Sequence, residues 1–408
     1  MNVQIHPRKL NGSLRVPTSK SLAHRAIICA CLSKGTSIIH DISWSKDVWA
    51  TIDSMKALGA QIIIQENDCI ITGISNFKSG ICSCNESGST LRFLIPIAAS
   101  QNTDVVFEGK ASLFSRPMQI YKEIFEQQNR LFEQSDTSIH VQGPIHADTF
   151  KIPGNISSQF ISGLLMAAPL LKEDSIIEIL PPFESSSYVY LTLDMLRKFH
   201  IQIEQLDAFT FKIPGNQSYQ CCDYTVEGDY SQMAFFAVLG AISHDISIQN
   251  MDLGSLQGDK KILDWLSYTK KSNQLVFQKQ ELTAREFDLS DCPDLGPIVC
   301  VLAAFSKGTS HIIHTQRLRY KECDRIQAME VELKKWGVDI YSDTDSITIQ
   351  GKTQYKKDEV ITMHAHNDHR IAMACTIFGY CCESDSILED AESIQKSYPN
   401  FFHDIDSL

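Results

Sequence analysis

The chain has 408 residues, of which 43% are hydrophobic and 21% charged, enough for packed cores, so disorder is excluded as the main state. Lys and Arg total 37 against 49 Asp and Glu, a net charge of −12, which argues against a general nucleic-acid binder or a protein held on an anionic membrane. An anionic small substrate stays compatible, because a local basic cluster can sit inside an acidic shell.

The length suggests two or three domains. The N-terminus, MNVQIHPRKL, has no apolar segment of the signal-peptide kind, and no two of the thirteen cysteines are spaced C-x-x-C. They are expected to be reduced, mostly buried thiols of a cytoplasmic protein. Apolar runs such as residues 161–171 and 295–304 are too short to span a bilayer.

Six stretches open alike along the chain: TSKSLAHRAIICA, SGSTLRFLIPIAA, SSQFISGLLMAAP, DYSQMAFFAVLGA, PDLGPIVCVLAAF and DHRIAMACTIFGY. Each is a small or polar start followed by an apolar run of helical length. A β-rich strand follows, then a second amphipathic helix and a strand or hairpin that often closes on Gly. With Ser21, Ser89, Ser158, Ser231, Leu295 and His369 as anchors, the intervals are 68, 69, 73, 64 and 74 residues. SKGTSIIH (33–40) and SKGTSHIIH (306–314) are near copies. A unit of about 70 residues with two helices and three or four strands cannot complete a core alone, so neighbouring units must share one. The pattern predicts an α/β protein of two similar lobes with three units each. The expected lobes are 21–227, and 1–20 plus 228–408, with the chain crossing near 19–21 and 227–229.

The polar residues of these apolar helices cluster at their N-terminal ends. Such ends offer free N–H groups and a positive dipole to an anion. A lone Ser or Asp there is explained by capping alone. Lys20, Arg25, Arg92 and Arg370 are not, since a cation is unfavourable at that end unless an anion joins it. The second helices open with Arg116, with Ser185-Ser186-Ser187, with Lys321 through Arg325, and with Lys396. If these equivalent ends face one cleft, eight cations make one focused positive site in an acidic protein. Asp294 and Glu322, beside the cations, are candidates for general base and general acid. There is no G-x-x-x-x-G-K-[ST], G-x-G-x-x-G or G-x-S-x-G motif. His364, His366 and His369 have the wrong spacing beside Arg370 for a metal site, so no metal is expected.

These motifs together resemble the EPSP synthase family of enolpyruvyl transferases. They run from VPTSKSLAHR (16–25) through ESGSTLRF (86–93), SRP (115–117), SSQFISGLLMAAPLL (157–171), VEGDYS (226–231), CPDLG (292–296), RLRYKECDR (317–325) and NDHRIAMA (367–374) to KSYPNFF (396–402). The resemblance implies an inside-out α/β barrel fold and transfer of the enolpyruvyl group of phosphoenolpyruvate to shikimate 3-phosphate, with no cofactor. It implies that Lys20, Ser21, Arg25, Ser157, Ser158, Gln159, Ser185, Asp294 and Lys321 contact shikimate 3-phosphate. Lys20, Gly88, Arg116, Gln159, Arg325, Arg370 and Lys396 would contact phosphoenolpyruvate. Asp294, Glu322 and Lys20 would carry the chemistry. The expected partners are those two small molecules, with no nucleic acid and no membrane, and a monomer.

Thr18, Ser186-Ser187, Tyr190, Cys323 and Arg317 depart from the family's commoner residues, and none is assigned to chemistry. The alternatives are the sister transferase acting on UDP-N-acetylglucosamine and a non-catalytic anion-binding repeat protein. The sister family carries a Cys five residues before its Arg-Pro pair. Here that position is Ala111, and no cysteine lies between Cys84 and Cys221.

Overall fold

A computed structural model describes all residues 1–408. The six opening stretches form helices: Lys20–Leu32, Gly88–Ala98, Ser158–Ala167, Tyr230–Ser243, Gly296–Ala304 and His369–Cys381. They are buried on nearly every side. Leu22 through Leu32, Tyr230 through Ile242 and all of Gly296–Ala304 are shielded from solvent. A helix apolar all round belongs inside a core. The strands alternate instead, as in Ser175–Leu180, where Ser175, Ile177 and Ile179 are buried and the residues between them are not. Period-two burial puts one sheet face on the helices and the other in water. Helices are therefore central and sheets peripheral, the inside-out α/β arrangement.

Five of the six sheets share one strand order. In the second, Gly80–Asn85 runs parallel to Asp104–Gly109, which pairs antiparallel with Ser138–Gln142, which pairs antiparallel with Phe132–Gln134. The buried helix Gly88–Ala98 connects the two parallel strands, a crossover that parallel pairing requires. The sixth sheet departs: Ile361–His364 and Ser386–Glu389 are parallel, but Val3–Ile5 stands in for the hairpin.

At two places the chain exchanges strands. Asn11–Arg15 precedes the first helix yet pairs with Asp245–Gln249, which follows the fourth. Asp223–Thr225 precedes the fourth helix yet pairs with Thr36–His40, which follows the first. Two compact units result, Met1–Pro17 with Gly228–Leu408, and Thr18–Glu227. The break after Pro17 lies three residues before the expected boundary at 20/21. Thr18 donates its N–H to Ser43 Oγ at 2.8 Å and its hydroxyl to Asp41 O at 2.6 Å, and Ser19 donates to Glu227 O at 2.7 Å. These bonds tie 18–20 to the unit that follows. Each unit has its own hydrophobic core. Nine of the thirteen cysteines are buried, and no helix is long and apolar enough to cross a membrane.

Candidate active site

In the 18–227 unit the helix ends are capped by hydroxyls. Ser19 accepts from the Leu22 N–H at 3.4 Å, Ser87 from Thr90 at 3.2 Å and Ser157 from Gln159 at 3.3 Å. The capping explanation therefore holds for Ser157, whose oxygen serves the helix while its O–H proton can still reach a ligand. Ser158 follows as the first helical residue, and Lys20 occupies the same place in the first helix. Lys20 Nζ lies 2.8 Å from Asp47 Oδ2, with both side chains mostly shielded. Ser185 sits buried in the left-handed region at φ +53°, opening Ser186–Lys198, a costly conformation for a residue with a Cβ.

Arg25 is 2% exposed. Its Nε donates to Thr192 Oγ1 at 2.7 Å, Nη1 to Ser21 O at 2.7 Å, and Nη2 to Ser162 Oγ at 3.3 Å and Tyr188 O at 3.1 Å. Its guanidinium lies over Phe93, 5.0 Å from the ring centroid. No carboxylate joins it, and burial drags its pKa down to about 10. Arg25 thus clamps three helices, and one Nη1 proton is spare for a ligand.

The N-terminus of Gly88–Ala98 gathers the next group. A Cβ on Gly88 would stand 3.0 Å from Arg116 Nη1, 3.5 Å from Gln159 Oε1 and 3.7 Å from Arg92 Nη1. Arg92 donates to Gln159 Oε1 at 2.8 Å and to Pro117 O at 3.2 Å, and Gln159 donates to Ser89 Oγ at 3.0 Å. Pro96 lies inside this helix and has no N–H, so the Arg92 carbonyl four residues back loses its helical donor. The buried Tyr121 hydroxyl replaces it at 2.6 Å. Tyr121 and the Pro117 carbonyl so fix Arg92, and with it the Arg116 loop.

The 228–408 unit is built on ion pairs. Asp294 accepts from Arg370 Nη2 at 2.8 Å, Arg325 Nη1 at 3.1 Å and Lys321 Nζ at 3.3 Å. Burial would raise its pKa, but Arg370, Lys321 and Arg325 overcome that and hold the carboxyl well below the usual range. Arg325, 1% exposed, also donates to Glu322 Oε2 at 2.7 Å and to Asp368 Oδ2 at 2.7 Å. Burial would lower its pKa, yet Asp368, Glu322 and Asp294 raise it well above normal. Burial dominates at Lys321, whose pKa is lowered. Asp368 caps His369–Cys381 by accepting from the Arg370 N–H at 2.8 Å, and Arg370 donates to Ser231 Oγ at 3.1 Å. Lys396 Nζ donates to Asn367 O at 2.6 Å, next to that cap. Arg317 donates to Ser290 O at 2.6 Å, on the segment that leads to Asp294.

Each unit therefore gathers its own predicted residues. Lys20, Ser21, Arg25, Gly88, Arg116, Ser157, Ser158, Gln159 and Ser185 belong to one, and Asp294, Lys321, Glu322, Arg325, Arg370 and Lys396 to the other. Asp47 and Tyr121 escape sequence reasoning, as do the bond of Ser231 to Arg370 and the role of Asp368 on Arg325. Asp47 had a readable signal, since a lysine opening an apolar helix needs a counter-ion.

Comparison with known proteins identifies this architecture. EPSP synthase from Acinetobacter baumannii matches at TM-score 0.80 and 22% identity, over 100% of this chain and 98% of that one. The enolpyruvyl transferase NikO from Streptomyces tendae matches at TM-score 0.80 and 14% identity, over 99% and 96%. The fold is that of the enolpyruvyl transferases. At the sequence level, the model of the family EPSP synthase (3-phosphoshikimate 1-carboxyvinyltransferase) matches residues 5–405. A 3-phosphoshikimate 1-carboxyvinyltransferase from Clostridium perfringens is 44% identical over 100% of this chain and 98% of its own length, and one from Clostridium beijerinckii 42% over 100% and 97%. The chain belongs to the EPSP synthase family.

Proposed function

We propose that this enzyme transfers the enolpyruvyl group of phosphoenolpyruvate to the 5-hydroxyl of shikimate 3-phosphate, releasing 5-enolpyruvylshikimate 3-phosphate and inorganic phosphate in the shikimate pathway. Family membership over nearly the whole chain supports the reaction. The observation that carries the assignment of chemistry is the meeting of Asp294 and Glu322 on one buried guanidinium, Arg325. An anion-binding repeat protein would have no use for two carboxylates in its cation cluster.

In this reading, Asp294 takes the proton of the 5-hydroxyl as that oxygen attacks C2 of phosphoenolpyruvate. Glu322, entering as the carboxylic acid, gives a proton to C3, forming a tetrahedral intermediate. Glu322 then removes a proton from C3, the C2–O bond to phosphate breaks, the proton held by Asp294 passes to the departing phosphate, and Lys20 balances that phosphate's charge. Arg116, Arg325, Arg370 and Lys396 bind phosphoenolpyruvate, with Gly88 giving room for close approach. Ser21, Ser157, Ser158, Ser185, Lys321 and the one spare proton of Arg25 bind shikimate 3-phosphate. Gln159 serves both. The protein works in the cytoplasm as a monomer, without cofactor.

The test is mass detection of the product. Incubation with both substrates yields 5-enolpyruvylshikimate 3-phosphate, and UDP-N-acetylglucosamine in place of shikimate 3-phosphate yields no enolpyruvyl adduct. An adduct only with the nucleotide sugar would overturn the reading.

A further inference from the structure

Beneath the N-termini that carry Lys20 and Gly88 runs a chain of buried polar contacts with no place in the reaction above. His24 Nδ1 lies 2.7 Å from Thr51 Oγ1, Thr51 Oγ1 lies 2.7 Å from Thr90 Oγ1, and Thr90 Oγ1 donates to Ser87 Oγ at 2.7 Å. All four residues are 0% exposed. Polar groups in such a core cost free energy unless each is hydrogen-bonded, and apolar residues of similar size would pack as well. What the bonds add is direction. Leucine and alanine contacts tolerate small slides between helices, whereas three short hydrogen bonds do not.

The spacing shows what is being fixed. His24 is four residues after Lys20 in Lys20–Leu32, and Thr51 is four after Asp47 in Lys46–Ala57. Residues four apart share a helix face. The His24–Thr51 contact therefore lies one turn below the Lys20–Asp47 ion pair and brings the same two helices together. Thr90 is two residues after Gly88, and Ser87 caps that helix. We propose that His24, Thr51 and Thr90 are positioning residues whose relay sets the register of the helices bearing Lys20 and Asp47 against the N-terminus at Gly88. The inference rests on the proposed function only for what Lys20 and Gly88 bind.

The relay has one consistent order of donors. The Thr90 proton goes to Ser87, so the Thr90 oxygen accepts from Thr51, and the Thr51 oxygen accepts from His24. His24 is then the Nδ1–H tautomer. Its Nε2 has no hydrogen-bond partner. Burial, with Lys20 and Arg25 nearby, keeps the ring neutral by lowering its pKa well below the usual value. A protonated ring would place a second N–H where nothing accepts it.

Two measurements on the full chain test this. In ¹⁵N imidazole spectra, with His24 assigned by its loss in His24→Asn, the wild type shows a neutral Nδ1–H ring at pH 7. An Nε2–H ring or a charged one would overturn the relay. In steady-state kinetics, Thr51→Val lowers kcat about ten-fold by shifting Lys20 against Gly88. Thr51→Ser keeps the hydroxyl and stays within about two-fold of wild type in both kcat and KM. Wild-type kcat in a folded Thr51→Val, or equal losses in Thr51→Ser, would overturn the proposal. If Thr51→Val does not fold, Thr90→Val breaks the relay one bond further on and is judged by the same kcat and KM. A wild type inactive on both substrates would count against the proposed function alone, and the tautomer would then decide the relay.

Discussion

Arg25 and Arg325 are both buried arginines beside the openings of apolar helices, yet they are held in opposite ways. Arg25 donates to hydroxyls and carbonyls, has no carboxylate partner, and its pKa falls to about 10. Arg325 touches Asp294, Glu322 and Asp368, and its pKa rises well above normal. The first is a buried cation without compensation, which an incoming phosphate or carboxylate would relieve. The second is already neutralised, so an anion must compete with carboxylates to reach it. Neutral groups therefore surround the buried cation proposed for shikimate 3-phosphate, and carboxylates surround the one proposed for phosphoenolpyruvate.

The largest expected effect separates the two arginines directly. Arg325→Met leaves three carboxylates with a lost partner and is expected to cost about 3–5 kcal/mol of stability. Arg25→Met leaves neutral acceptors unsatisfied and is expected to cost about 1–3 kcal/mol. Urea unfolding of both variants checks this, and equal losses would break the comparison. Next, Lys20→Met and Glu322→Gln are each expected to lower kcat on the order of 10² while the fold persists. Near-normal turnover with an intact circular-dichroism spectrum would remove that residue from the chemistry.

Both effects fall on residues of very different legibility. The repeat was readable because its signal is local: an apolar helix, a β-rich strand and a closing Gly recur every 70 residues or so. The cations stood out because a positive charge at the positive end of an apolar helix is unfavourable until an anion joins it. Residues 1–20 were expected to join the lobe of 228–408, but the strand partners of Asn11–Arg15 and Asp223–Thr225, 234 and 185 residues away, were not readable, because such distant pairing leaves no trace in local pattern. Asp368 looked like a simple cap, and it is one, but its second role on Arg325 depends on a turn 43 residues away. Tyr121 has no visible reason in sequence, since its partner is a carbonyl that Pro96 releases.

A smaller effect tests whether burial of neutral groups also marks the 228–408 unit. His244 is buried, accepts from the Leu10 N–H at 3.0 Å, and burial lowers its pKa to about 4. The unfolded chain, with a histidine pKa of about 6.5, binds that proton first as pH falls. Stability is therefore fully present above about pH 6.5 and is lost progressively down to about pH 4, by about 1 kcal/mol at pH 5.5. The difference in urea-unfolding free energy between pH 7 and 5.5 is expected to shrink by that amount in His244→Asn. An unchanged difference would show that His244 does not titrate this way.

The smallest effect concerns Gly88. A Cβ 3.0 Å from Arg116 Nη1 meets the end of a flexible side chain, which must move by a few tenths of an ångström. Gly88→Ala is expected to raise KM for phosphoenolpyruvate by roughly three- to ten-fold with little change in kcat, a loss of uniform binding. An unchanged KM would mean that Arg116 is not held against that glycine for phosphoenolpyruvate.

The proposed reaction joins two anionic substrates in a single transfer. Phosphate release from the purified protein measures it most directly. Release is expected only when phosphoenolpyruvate and shikimate 3-phosphate are present together. Release with phosphoenolpyruvate and UDP-N-acetylglucosamine, or none with the two substrates together, would contradict it.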